Sequence, residues 1–182
     1  FGNKGYSATT LSDIAGKVGM TKAALYQYFR SKEELFTFVL ENSPLDISAR
    51  NLKPVKRGKD WKDDVLNIGK SYLEMGNMPE RTAIFKTVVR ESDKFPEAGR
   101  LFYSEAISKV CESVADYLHS QLDNCPLDRR QLKLAAWLYL STLWASNILF
   151  KVISGVERDF TDEEILKMSS EIFINWLEKF EK

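Results

Sequence analysis

The chain has 182 residues, 44% hydrophobic and 29% charged, with a formal net charge of zero. That length allows one large domain, or a small domain fused to a larger one, with a sizeable core. A balanced charge excludes recognition of nucleic acid or an acidic surface by bulk electrostatics alone. Cys111 and Cys125 are the only cysteines. They form neither a zinc spacing nor a disulfide framework, so a reduced, cytoplasmic compartment is expected.

In chain order the signal is helical almost throughout. Phe1 reads as the end of a helix whose beginning, and a preceding segment, are expected outside this numbering. The pattern then predicts helices over 10–17, 21–28, 32–42, 61–77, 80–91, 96–121, 128–154 and 162–180. Starts are marked by capping residues: Thr21 before Leu25, Ser31 with Glu34, Asp128 with Gln131, and Thr161 with Glu164. In each, a cap oxygen can accept from an orphan N–H of the first turn. Thr10 with Asp13 is a weaker version. The stretch from Ser43 to Asp60 holds Pro44, Pro54 and Gly58 among five basic residues and reads as a linker. Leu134 to Phe150 is uncharged. It falls short of the ~20 apolar residues of a spanning helix and is interrupted by Ser141, Thr142, Ser146 and Asn147, so no membrane partner is expected.

The segment from Thr10 to Phe29 reads as a helix-turn-helix. Leu11, Ile14, Ala15 and Val18 make one apolar stripe, Gly19 ends the helix, and Thr21 restarts a second one two residues later. Ala24, Leu25 and Phe29 face inward. Lys22, Ala23, Tyr26 and Gln27 are left on the outer side, where they can reach bases or phosphates in a major groove. Thr10 and Thr21 stand at helix N-termini that favour a phosphate, and Tyr28 and Lys32 lie at the far end. The bare pattern is shared with helical hairpins that never touch DNA. Electrostatic support is weak, because residues 1–43 carry five basic against four acidic groups.

The run Gly5-Tyr-Ser-Ala-Thr-Thr10, then Asp13-Ile-Ala15, Val18-Gly-Met-Thr-Lys-Ala-Ala-Leu-Tyr-Gln-Tyr-Phe29 and Ser31-Lys-Glu-Glu-Leu35, resembles the TetR family of bacterial regulators. The resemblance implies an all-α protein: a three-helix DNA-binding domain over 1–43, its first helix truncated, and a helical effector-binding and dimerisation domain over 44–182. Carried over residue by residue, Thr21, Lys22, Ala23, Tyr26 and Gln27 match groove-facing positions. Thr9, Thr10, Tyr28 and Lys32 match phosphate-contacting ones. The family often has Gly or Ser at Ala23 and His at Tyr28, so base preference does not transfer. Glu91-Ser-Asp-Lys-Phe-Pro-Glu97 before a long amphipathic helix is similar to the AefR-like branch. The implied partners are a palindromic double-stranded operator, a small effector and a second copy of the chain.

The helix at 128–154 is apolar nearly all round, and the last helix carries a wide apolar stripe. Such faces need cover, either inside one core or from a second copy. Leu138, Ile148, Ile165, Ile172, Phe173 and Trp176 are the candidate interface residues of an isologous four-helix contact. Tyr72, Met75, Phe85, Phe102, Tyr103, Tyr117, Trp137 and Trp144 are the candidate lining of an effector pocket, with core packing as the plainer reading. Arg81, Arg90, Glu91 and Glu105 are candidate polar partners. His119 is the only histidine, and no nucleophile-base set, phosphate loop or metal cluster is visible, so no enzyme, cofactor or metal is expected. The alternatives to an effector-released repressor are a small-molecule-binding or interaction protein, or a helical enzyme, that kept the fold.

Overall fold

The N-terminal caps predicted from sequence form, and they set the helix register. A computed structural model of the chain describes residues 1–41, 60–93, 95–122, 125–152 and 157–180. Among the described residues every regular element is helical. The head carries α1 (Leu11–Lys17), α2 (Lys22–Tyr28) and α3 (Lys32–Glu41). Then follow α4 (Trp61–Gly76), α5 (Pro79–Glu91), α6 (Pro96–Phe102), α7 (Lys109–Gln121), α8 (Arg129–Val152) and α9 (Asp162–Glu178). The predicted linker falls almost wholly on 42–59, outside the described residues.

Thr161 and Glu164 satisfy each other's backbone N–H at 3.2 and 2.8 Å. Asp128 and Gln131 do the same at 2.8 Å each. The pair expected to be weaker is also a complete box: the Asp13 N–H donates to the Thr10 hydroxyl at 3.1 Å, and the Thr10 N–H donates to the Asp13 carboxylate at 2.9 Å. One feature had no sequence signal. The predicted helix over 96–121 is interrupted by π-helical turns at Tyr103–Ser108, between α6 and α7.

Three buried clusters hold the molecule. The largest joins α4, α7, α8 and α9 through Val65, Val114, Leu118, Leu132, Leu143 and Leu177. A second lies inside the head: Leu11, Ala15, Leu25 and Leu35. The third welds the head to the rest, packing Tyr6 and Phe36 against Val88, Ala98, Phe102 and Ala106.

The α4–α8 crossing has no room for a side chain at Gly69. A Cβ there would collide with the Tyr139 hydroxyl oxygen. That hydroxyl donates to the Val65 carbonyl at 3.1 Å and lies 2.8 Å from the buried Ser170 hydroxyl. Burial pushes the Tyr139 phenol up to about 12. Gly69→Ala is therefore expected to cost roughly 1–3 kcal/mol by overpacking, read as a lowered denaturation midpoint in urea.

Candidate functional site

The head builds its outward surface from the turn between α1 and α2. Gly19 takes φ +70°, which L side chains rarely adopt, and the Met20 N–H donates to the Ala15 carbonyl at 2.9 Å. The chain thereby reverses tightly, and α2 begins with the Thr21 hydroxyl accepting from the Ala24 N–H at 3.1 Å. Leu25 is buried, with Ala24 and Phe29 half-buried beside it. Thr21, Lys22, Ala23, Tyr26, Gln27 and Tyr28 are all exposed, Tyr28 at 68%. The Lys22 ammonium lies 5.8 Å from the centre of the Tyr26 ring. This is a short helix held rigidly on one face, with two donors, two phenols and a methyl group on the other. Such a set can read base edges and phosphates from a groove. Val18, predicted to face inward, is exposed instead. It is the C-cap of α1, where the chain has already left the helical stripe.

Three of the implied phosphate contacts are occupied within the fold. Thr9 is only 3% exposed; its hydroxyl donates to the Gly5 carbonyl at 2.6 Å and its N–H to the Tyr6 carbonyl. Lys32 bends back over the loop before α1. Its ammonium donates to the carbonyls of Tyr6, Ser7 and Thr9 at 2.9, 3.3 and 3.0 Å, and lies 4.4 Å from the centre of the Tyr6 ring. All three donors are spent. Thr10 is exposed, but its hydroxyl donates to Asp13 at 2.6 Å. Hydrogen bonds from Thr10 and from Lys4 hold the Asp13 carboxyl well below the usual carboxylate range. That carboxylate already occupies the N-terminus of α1, whereas the first turn of α2 carries no acidic residue. Lys32→Met is thus expected to loosen the loop and lower the head's thermal stability. The salt dependence of DNA binding, which counts phosphate contacts, should not change; a slope reduced by about one unit would restore Lys32 to the backbone contacts.

The loop that Lys32 holds and the residues before it are also tied to α5 and to Phe95. The Ser7 hydroxyl donates to the Glu91 carboxylate, and the Thr87 hydroxyl donates to the Phe1 carbonyl at 3.2 Å. Tyr6 stacks on Phe95 at 4.9 Å between centroids. Glu91, a candidate pocket group in the sequence, is buried and faces the head instead.

On the far side, α8 and α9 leave an open apolar groove of about 470 Å³. Leu134, Leu138 and Thr142 succeed one another at helical spacing on α8, and Ile172 and Trp176 face them from α9. Ile172 is 64% and Leu134 57% exposed. Of the predicted interface residues, Leu138, Ile172 and Trp176 line this groove. Phe173 also borders it but belongs largely to the chain's own core, stacked on Tyr139 at 4.6 Å. Ile165 is half-buried against the large cluster, and the side chain of Ile148 lies outside the described residues.

The eight predicted pocket residues do not converge on one space. Tyr117 is buried and donates to Asp64 at 2.5 Å, so its hydroxyl is committed to the core. Tyr103 and Trp137 are exposed. The helix register turns them outward, a direction that periodicity on an all-round apolar helix does not specify. Phe85, Phe102 and Trp144 pack together, with Phe85 and Trp144 edge to face at 4.9 Å. Tyr72 and Met75 are half-buried on α4; the Glu105 side chain lies outside the described residues.

The chain is similar to known proteins over nearly its whole length. The family described as "Bacterial regulatory proteins, tetR family" matches residues 1–38. The one described as "AefR-like transcriptional repressor, C-terminal domain" matches residues 64–172, more than half of the chain. The chain belongs to the TetR family of bacterial regulatory proteins. Within it, the head is similar to IcaR, the negative transcriptional regulator of the icaADBC biofilm operon in Staphylococcus epidermidis, at 45% identity over 42 residues. That match spans 23% of this chain and 23% of IcaR. Two solved structures are similar over most of their length. The flavonoid-responsive regulator FrrA is 27% identical with a TM-score of 0.77, covering 98% of this chain and 89% of FrrA. A protein from Mesorhizobium loti assigned to the TetR family is 21% identical with a TM-score of 0.74, covering 97% and 90%, and supports the fold alone. Among the described residues no helix is long and apolar enough to cross a membrane.

Proposed function

We propose that this TetR-family protein is a transcriptional repressor that binds a palindromic operator as a homodimer and is released by a small, apolar or aromatic effector. Residues 1–43 read DNA; residues 44–182 dimerise and bind the effector. The observation that carries the reading is the two-sided character of α2. Leu25 anchors it, while Lys22, Ala23, Tyr26 and Gln27 stand out from the head. Thr21 and Tyr28 flank this surface as backbone-positioning groups. Two copies joined through α8 and α9 set the two α2 helices about one DNA turn apart, ~34–36 Å, or a multiple of it. The names of the relatives support a negative regulator and a flavonoid-like ligand class.

Release follows when the effector prefers a conformation whose head spacing no longer fits the operator. A full switch from 1:99 to 99:1 needs about 10⁴-fold preference, ~5.5 kcal/mol. The joint between head and body through Tyr6, Phe36, Ser7 and Glu91 is the contact that would transmit it.

Fluorescence anisotropy with the protein's own upstream DNA tests the reading. Lys22→Ala and Tyr26→Ala are each expected to weaken binding by ~1–3 kcal/mol, roughly five- to 150-fold, with helicity unchanged by circular dichroism. Unaltered affinity in both variants would remove α2 as the reading helix.

A further inference from the structure

The π-helical turns at Tyr103–Ser108 change the hydrogen-bond pattern of a helix without breaking its course. Phe102 and Lys109, on either side, keep helical backbone angles, and the Lys109 N–H donates to the Ser104 carbonyl, five residues back. Such turns are rare inside α-helices and are frequent at functional sites. The two halves of this helix serve different bodies. Ala98 and Phe102 on α6, with Ala106 of the π turns, pack in the cluster that holds Tyr6 and Phe36 of the head. Val110, Val114 and Leu118 on α7 pack in the large cluster with α4, α8 and α9. Ile107, inside the π turns, packs against both.

The change of pattern sets the angle between these two faces. On an unbroken α-helix, turning about 100° per residue, Val114 and Leu118 would each stand ~160° from Ala98, on opposite sides. Head and core would then need opposite faces of one helix. An i→i+5 turn takes up about one extra residue, which brings Val114 to ~60° and Leu118 to ~100° from Ala98. Head and core are thereby met by neighbouring faces. The body end is gripped from α8. The Lys133 ammonium donates to the Ser108 hydroxyl at 2.8 Å and to the Glu112 carboxylate at 2.6 Å, and the Ser108 hydroxyl donates to Glu112 at 3.0 Å. With that end held, a change of register in the π turns moves α6 and the head.

We propose that Tyr103–Ser108 is the register switch between body and head. With the π turns in place, the head is seated and the operator is read. When the stretch takes up α-helical bonds, α6 turns against α7 by about one residue, ~100°, and the seat of Tyr6 and Phe36 is lost. A one-residue change of register is a discrete step, as switching between two packed states requires. The inference rests on the repressor reading above and names the element that moves.

Hydrogen exchange read by mass spectrometry tests this on the full chain, with and without the protein's own upstream DNA. Coupling is reciprocal, so bound operator is expected to slow exchange at the amides of residues 103–109 by about fivefold or more. Deleting Tyr103, whose side chain is exposed, should leave an unbroken α-helix with both faces still in phase. That protein should melt at or above the wild-type temperature, bind operator as the wild type does, and show no operator-dependent exchange in this stretch. Deleting the exposed Lys70 from α4, which has no π turn, should instead turn Leu73 out of the core and lower the melting midpoint by ~10 °C. Unchanged exchange in operator-bound wild type overturns the switch. So does a Tyr103 deletion that melts as low as the Lys70 deletion, or that keeps the operator-dependent exchange. The two readings stay distinguishable. A wild type that binds no operator removes the repressor reading and the switch with it; tight operator binding without an exchange response removes the switch alone.

Discussion

Ile172→Glu is expected to give a folded monomer that has lost operator binding. Ile172 is 64% exposed in the single chain, so a carboxylate there meets water and leaves the fold intact. The proposed dimer is another matter. Ile172 lines the groove with Leu134, Leu138 and Trp176, and a two-fold contact repeats every residue. Each substitution thus introduces two carboxylates of like charge into an apolar seam, and an unpaired buried charge costs several kcal/mol. Sedimentation velocity should report a monomer at micromolar concentration, with unchanged far-ultraviolet circular dichroism. Operator affinity should fall by roughly 10²–10⁴-fold, the avidity of linking two half-site contacts. A variant that remains dimeric and keeps its operator affinity would place the interface elsewhere.

Phe36→Ala should be the most damaging single truncation in the joint between head and body. Phe36 is 1% exposed, with ring centroids of Phe1, Tyr6 and Phe95 at 5.0, 5.1 and 6.3 Å. Removing an enclosed phenyl ring costs about 3–5 kcal/mol, which for a chain of this size lowers the melting midpoint by ~10 °C. Its position predicts a second effect. The ring contacts the loop that Lys32 and Glu91 also hold, so the truncated protein should bind operator yet respond weakly to whatever ligand releases the wild type. Phe36→Leu, which keeps most of the volume, should restore both. A loss of stability with the ligand response intact would confine Phe36 to packing.

Helix boundaries were legible in the amino-acid order because capping is local. The Thr10–Asp13, Asp128–Gln131 and Thr161–Glu164 pairs act across three residues, and Gly19 supplies a backbone angle that other residues resist. The two faces of α2 were legible for the same reason, since periodicity alone separates buried Leu25 from exposed Tyr26. The groove was partly legible: a stripe on α9 announces a face in need of cover, but not that Phe173 turns into its own core while Ile172 turns out. Contacts between residues far apart in the chain left no local mark. Lys32 reads as a phosphate-binding lysine until its three donors are seen on carbonyls more than twenty residues earlier. Tyr117 reads as a pocket phenol until Asp64 of α4 is found against it. Local chemistry therefore decided which segments are helical and which face of α2 points away from the head. Which polar groups are already satisfied, and so which remain for DNA or a ligand, was decided only when the helices packed, because a side-chain donor takes the acceptor that tertiary structure brings nearest.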